Sequence, residues 1–131
     1  MNSNEIKRLI SIGSTFPGYD DTSKAEFHNL AKKYLKRLAS VMELEAGTFT
    51  IRSNKGGIAV LGEVTLHSDN LYIQLGGSGG NERFYYRCVK GQKDFTGGRN
   101  AWMNYKDITD IHAVAEIFTK HLDANRYEWA A

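Results

Sequence analysis

Residues Ile58–Leu75 read IAVLGEVTLHSDNLYIQL, and their alternation decides the fold class. Ile58, Val60, Val64 and Leu66 fall on one face of an extended chain, with Gly62 between them as a bulge or bend. Leu71, Ile73 and Leu75 alternate again after Ser68–Asn70. Apolar residues at every second position mark half-buried strands, and Ser-Asp-Asn between two such runs reads as a hairpin turn. The pattern extends both ways. Phe49 and Ile51 share a face before a second turn at Asn54–Gly57, and Phe84, Tyr86 and Cys88 share one after the glycine-rich loop Gly76–Asn81. Short connections between four such runs predict an antiparallel meander.

Helical periodicity appears on either side. Ile6, Leu9 and Ile10 predict a short helix over 3–12, ended by Gly13, before the turn-rich STFPGYDDT of 14–22. Ser23-Lys24-Ala25-Glu26 reads as a capping box that starts the clearest helix. Phe27, Leu30, Ala31, Tyr34, Leu38, Val41 and Met42 form its apolar face, Lys32, Lys33, Lys36 and Arg37 lie largely opposite, and the helix is expected to run to about Met42–Leu44, with Gly47 marking its end. After an irregular stretch, Thr109 or Asp110 can cap a last helix with the stripe Ile111, Val114, Ala115, Phe118 and Leu122. The fold class that follows is α+β. It is a two-layer sandwich in the order α-β-β-β-β-α, with helices before and after a four-stranded antiparallel meander. Phe27, Leu30, Val64, Ile73, Tyr86 and Phe118 are expected to share one core.

At 131 residues and 41% hydrophobic, the chain fits a single domain over 1–131. One cysteine excludes an intramolecular disulfide and a cysteine-built zinc site. The opening MNSNEIKR lacks the apolar core of a secretory signal, and no apolar run approaches a membrane span, so a cytoplasmic protein is expected. A net charge of +2 and a pI near 8.6 are only mildly basic, so any electrostatic recognition depends on local clustering.

If Val60, Val64, Ile73 and Tyr86 face the helices, alternation puts Thr50, Arg52, Leu61, Glu63, Thr65, Tyr72, Gln74, Tyr85, Arg87 and Val89 on the other side. Leu61, Tyr72, Tyr85 and Val89 are unusually apolar for a solvated face. Either the 91–105 segment folds over them, or the face is an interface with a partner or a second copy of the chain.

Chemical motifs are sparse. Cys88 lies near Arg87 and Lys90, which favours a thiolate, but its parity with Phe84 and Tyr86 predicts a buried, quiet thiol. His28, His67, His112 and His121 show no ligand spacing, and Ser14, Ser53 and Ser68 have no nucleophile-elbow setting. The GGSGG of Gly76–Gly80 lacks the Lys-Ser/Thr of a phosphate loop and reads as a flexible connection. Lys32–Arg37 suits phosphate, but it is more simply the solvent face of a helix. No enzyme activity, cofactor or metal is expected.

The richest segment is Gly76–Asn100, with seven of the thirteen glycines and the basic residues Arg83, Arg87, Lys90, Lys93 and Arg99. Within it, KGQKDFTGGRN (Lys90–Asn100) can be a connector anchored on the core by Phe95 and Trp102. It also resembles a Lys-Gly-x-Lys-Asp-aromatic-Thr-Gly-Gly-x-Asn pattern in small uncharacterised accessory proteins of bacterial phages and plasmids. The resemblance covers the end of the sheet and the loop after it, and implies no catalytic residue. It leaves the partner unresolved; together with the compact size and the missing catalytic constellation it motivates the expectation of a non-enzymatic mobile-element protein that binds and blocks a host macromolecule, a protein or nucleoprotein of a defence system. The binding face would comprise Tyr72, Arg83, Tyr85, Arg87, Lys90, Lys93 and Arg99. The alternative is a nucleic-acid or nucleotide-binding protein using the same basic residues.

Overall fold

A computed structural model describes residues 1–15, 20–77, 82–92 and 98–130, the last six by backbone alone. Helices α1 (Ser3–Thr15) and α2 (Asp21–Val41) precede strands β1 (Phe49–Asn54), β2 (Gly62–Ser68), β3 (Leu71–Gly77), β4 (Arg83–Cys88) and β5 (Ala101–Asn104). A 3-10 turn, Tyr105–Asp107, leads into α3 (Ile111–Ala130). The strands form one antiparallel sheet in sequence order, β1-β2-β3-β4-β5. The fold is the expected α+β arrangement with helices before and after a meander. The meander has a fifth strand, however, and the short helix expected over 3–12 stands as α1 beside the longer one before it.

The core row Ile51–Leu66–Ile73–Tyr86–Ala101 runs straight across the sheet beneath the helices. Phe27, Leu30, Val64, Ile73, Tyr86 and Phe118 do share one core, joined by Leu9 and Ile12 of α1. Phe118 of α3 packs at a tilt against Tyr86, with ring centroids 4.7 Å apart. No helix among the described residues is long and apolar enough to cross a membrane.

Three boundaries differ from the sequence reading. Helix α2 starts at Asp21 with Asp20 as its cap: the Asp20 carboxylate accepts the Ser23 amide at 3.0 Å and the Ser23 hydroxyl at 2.7 Å. Ser23 is thus the third helical residue, and Glu26 pairs with Arg8 of α1 at 2.9 Å instead of closing a capping box. Its other end falls close to the expected Met42–Leu44, with Val41 the last helical residue and Met42 the C-cap. Glu43 takes the left-handed conformation at φ 57°, its amide bonds Ser40 O and the Leu44 amide bonds Ala39 O. Those two bonds are a Schellman motif with glutamate where glycine is usual. Gly13 lies inside α1 because a Cβ there would sit 2.7 Å from the ring of Tyr105, so its role is space.

The third difference is at 55–61. Ile58 and Val60 are not core strand residues: they are 86% and 36% exposed in the connection before β2. Gly62, at φ +74°, breaks the alternation, and Leu61 turns into the core rather than onto the open face. The Gly62 backbone crowds Asn54 O so closely that no Cβ fits there. Val89 is also buried, because β4 ends at Cys88 and the Val89 amide bonds back to Asn70 O. The connection is tied to α2 by buried His28. Its Nε2 donates to Leu61 O at 2.8 Å, which leaves Nδ1 to accept from the Ser53 hydroxyl at 2.5 Å. Burial holds this imidazole below its ordinary pKa.

Candidate functional site

The sheet face opposite the helices carries two cross-strand rows, one across all five strands and one across four. One is Arg52–Thr65–Gln74–Tyr85–Trp102, drawn from all five strands; the other is Thr50–His67–Tyr72–Arg87. Directly opposed residues in a sheet stand close enough for side chains to touch. The Tyr72 and Tyr85 hydroxyls therefore both donate to Gln74 Oε1, at 2.9 and 2.6 Å. Tyr85 packs edge-on to Trp102 at 5.6 Å between centroids, and Tyr72 lies 6.0 Å from Tyr85.

Two guanidinium groups flank these rings. Arg83 lies over Trp102 at 5.0 Å and Arg87 over Tyr72 at 5.6 Å, both within cation–π range. Arg83, Tyr85 and Arg87 alternate along β4, so all three project from the same face. Arg87 is half-buried, and its Nε has no hydrogen-bond partner among the described residues.

At the other end of the face lies a groove of about 370 Å³ lined by Thr50, Arg52, Glu63, Thr65, His67 and Tyr72. The chain after β4 forms one of its walls. His67 Nε2 donates to Gly91 O at 3.0 Å and the Thr50 hydroxyl donates to Gln92 Oε1 at 3.1 Å. Gln92 Nε2 donates in turn to Gly47 O and Asp69 Oδ1, both at 3.3 Å. This fold-back covers the Tyr72 end of the face and leaves the Trp102 end open.

Of the expected site residues, Tyr72, Arg83, Tyr85 and Arg87 come together. Tyr72 is on the expected face but only 7% exposed, and burial first, then its neighbour Tyr85, pushes its phenol pKa up. It supports the surface rather than presenting it. Lys90 and Arg99 are exposed but lie beyond the aromatic row, on the chain leaving β4 and the chain approaching β5. Lys93, Phe95 and the GGSGG glycines beyond Gly77 lie outside the described residues.

Trp102 is not a core anchor, contrary to the sequence expectation. It is 48% exposed and points away from the helices because its strand neighbour Met103 takes the inward position. The signal was the alternation of Ala101-Trp102-Met103-Asn104, too short to read as a strand on its own. Cys88 is buried as expected, with its thiol 3.9 Å from His121 O. No cluster of three metal-ligating side chains occurs among the described residues. No family model, curated protein or solved structure matches this chain.

Proposed function

We propose that this chain is a small binding protein that acts by covering a macromolecular target with the open face of its sheet. The observation that carries the reading is the five-strand row ending in Tyr85 and half-exposed Trp102, with Arg83 and Arg87 beside the rings. Aromatic rings and arginines are the residue types that dominate binding energy at interfaces. The wider role, a phage or plasmid accessory protein that blocks a host defence protein or nucleoprotein, rests on the resemblance of Lys90–Asn100.

The test is a pull-down with and without nuclease, comparing the parent with a Trp102→Ala/Arg83→Glu variant. These positions are chosen because both side chains are exposed, whereas half-buried Arg87 also packs on Tyr72. Loss of the captured partner with an unchanged melting temperature supports the reading. A variant that captures the partner as well as the parent removes this face from the interface, and the lysine-rich side of α2 becomes the better candidate.

A further inference from the structure

We infer that the occupant of this face is a single-stranded nucleic acid, laid across the strands with its bases on Tyr85 and Trp102. The inference rests on the proposed role of the open face and names its ligand.

Geometry comes first. Adjacent strands lie about 4.8 Å apart, so the row from Trp102 on β5 to Arg52 on β1 spans roughly 19 Å. That is room for the two or three bases that sheet-based single-strand binders stack on their central strands. An open sheet face with adjacent aromatic side chains offers unpaired bases a stacking surface that a duplex, with its bases already stacked, does not use.

Charge comes second. Among the described strand residues of this face, Arg52, Arg83 and Arg87 stand against a single carboxylate, Glu63. The whole chain is only +2, so this local excess belongs to the face rather than to the composition. The arginines sit around the rings: Arg83 and Arg87 two residues to either side of Tyr85 along β4, and Arg52 at the far end of its row. Guanidinium groups bordering an aromatic platform match a ligand whose flat bases are joined by an anionic backbone.

The groove comes third. Its wall sets Arg52 and Glu63 beside Thr65, giving both donors and acceptors within about 370 Å³, while Thr50 and His67 already bond Gln92 and Gly91. A nucleobase edge presents both, whereas an apolar protein side chain would leave these groups unpaired.

The probes are fluorescently labelled 12-mers of dT and rU, read by anisotropy at several salt concentrations beside a duplex control. The parent protein should bind the single strands and prefer them to the duplex. The logarithmic salt slope should be roughly −2, about 0.7 for each of three phosphates neutralised. Trp102→Ala should weaken binding about 5- to 150-fold, the size of one lost stack, while Trp102→Phe retains it. Arg83→Ala should reduce the slope by about 0.7. A Lys32→Glu/Lys36→Glu/Arg37→Glu variant should bind as the parent does. Absence of binding at low salt, equal affinity for duplex, or loss of binding in the α2 variant but not in Trp102→Ala would overturn the inference. If the oligonucleotides fail to bind while Trp102→Ala/Arg83→Glu still loses a nuclease-resistant protein partner, the nucleic-acid assignment falls and the open-face reading stands.

Discussion

Gly13→Ala is a substitution whose usual sign the structure reverses. In an exposed helix interior, alanine is favoured over glycine by about 1 kcal/mol. At position 13 of α1 the new Cβ would lie 2.7, 2.8 and 3.0 Å from three ring atoms of Tyr105, closer than carbon atoms pack. The ring has little freedom to move. Tyr105 is fully buried, contacts Phe84 at 5.2 Å between centroids, and accepts the Gly76 amide at 2.5 Å through its hydroxyl. Swinging it aside breaks that hydrogen bond, at a net cost of about 1 kcal/mol. Leaving it in place overpacks the site by about 1–3 kcal/mol. Against the helix gain, the variant should lose up to about 2 kcal/mol, and for a chain of this size its melting temperature should fall by up to roughly 8 °C. Urea titrations followed by far-ultraviolet circular dichroism measure this directly. The same substitution in a Tyr105→Leu background, where the crowding ring is gone, should be neutral or stabilising. A higher urea midpoint for Gly13→Ala in the parent background would refute the steric argument and with it the keying of α1 onto Tyr105.

At the end of α2, Glu43→Gly should raise the urea midpoint by about 0.5–1 kcal/mol worth of stability. It removes a left-handed cost of roughly 1–2 kcal/mol and adds back part of it as unfolded-chain entropy; a lower midpoint would show that the glutamate side chain contributes more than its backbone costs. His28 predicts a pH dependence. Its folded pKa is depressed chiefly by burial, so the unfolded chain takes up the proton first. The stability of the neutral ring is therefore complete above about pH 6.5 and is lost as pH falls through the folded value. Urea midpoints should drop between pH 7 and pH 5.5, and less steeply in His28→Gln, since half-buried His121 remains in both proteins; parallel profiles would remove His28 from the account. Cys88, 1% exposed, should react with a thiol reagent only as fast as the protein opens, so stoichiometric labelling within seconds in native buffer would contradict its burial.

The α+β class, the antiparallel meander and most of its core were determined by the sequence alone. Period-two runs such as Leu71-Ile73-Leu75 and the helical stripe Phe27-Leu30-Ala31-Tyr34 each have one arrangement that buries their apolar side. The local reading failed where one residue reset the pattern. Gly62, in a conformation open mainly to glycine, reversed the parity of Leu61 and released Ile58 and Val60 to solvent. Asp20 took the capping role assigned to Ser23, because both offer the same kind of acceptor and only the entry path of the chain chooses between them.

The candidate site divides along the same line. Tyr85, Arg83 and Arg87 were legible because alternation within one strand is a local property. Trp102 was not, since a four-residue strand has too little periodicity to announce itself and becomes a strand only by pairing with β4. The row Arg52–Thr65–Gln74–Tyr85–Trp102 joins residues up to 50 positions apart. Strand register creates that row, and register is set by hydrogen bonds between strands, which no single segment contains.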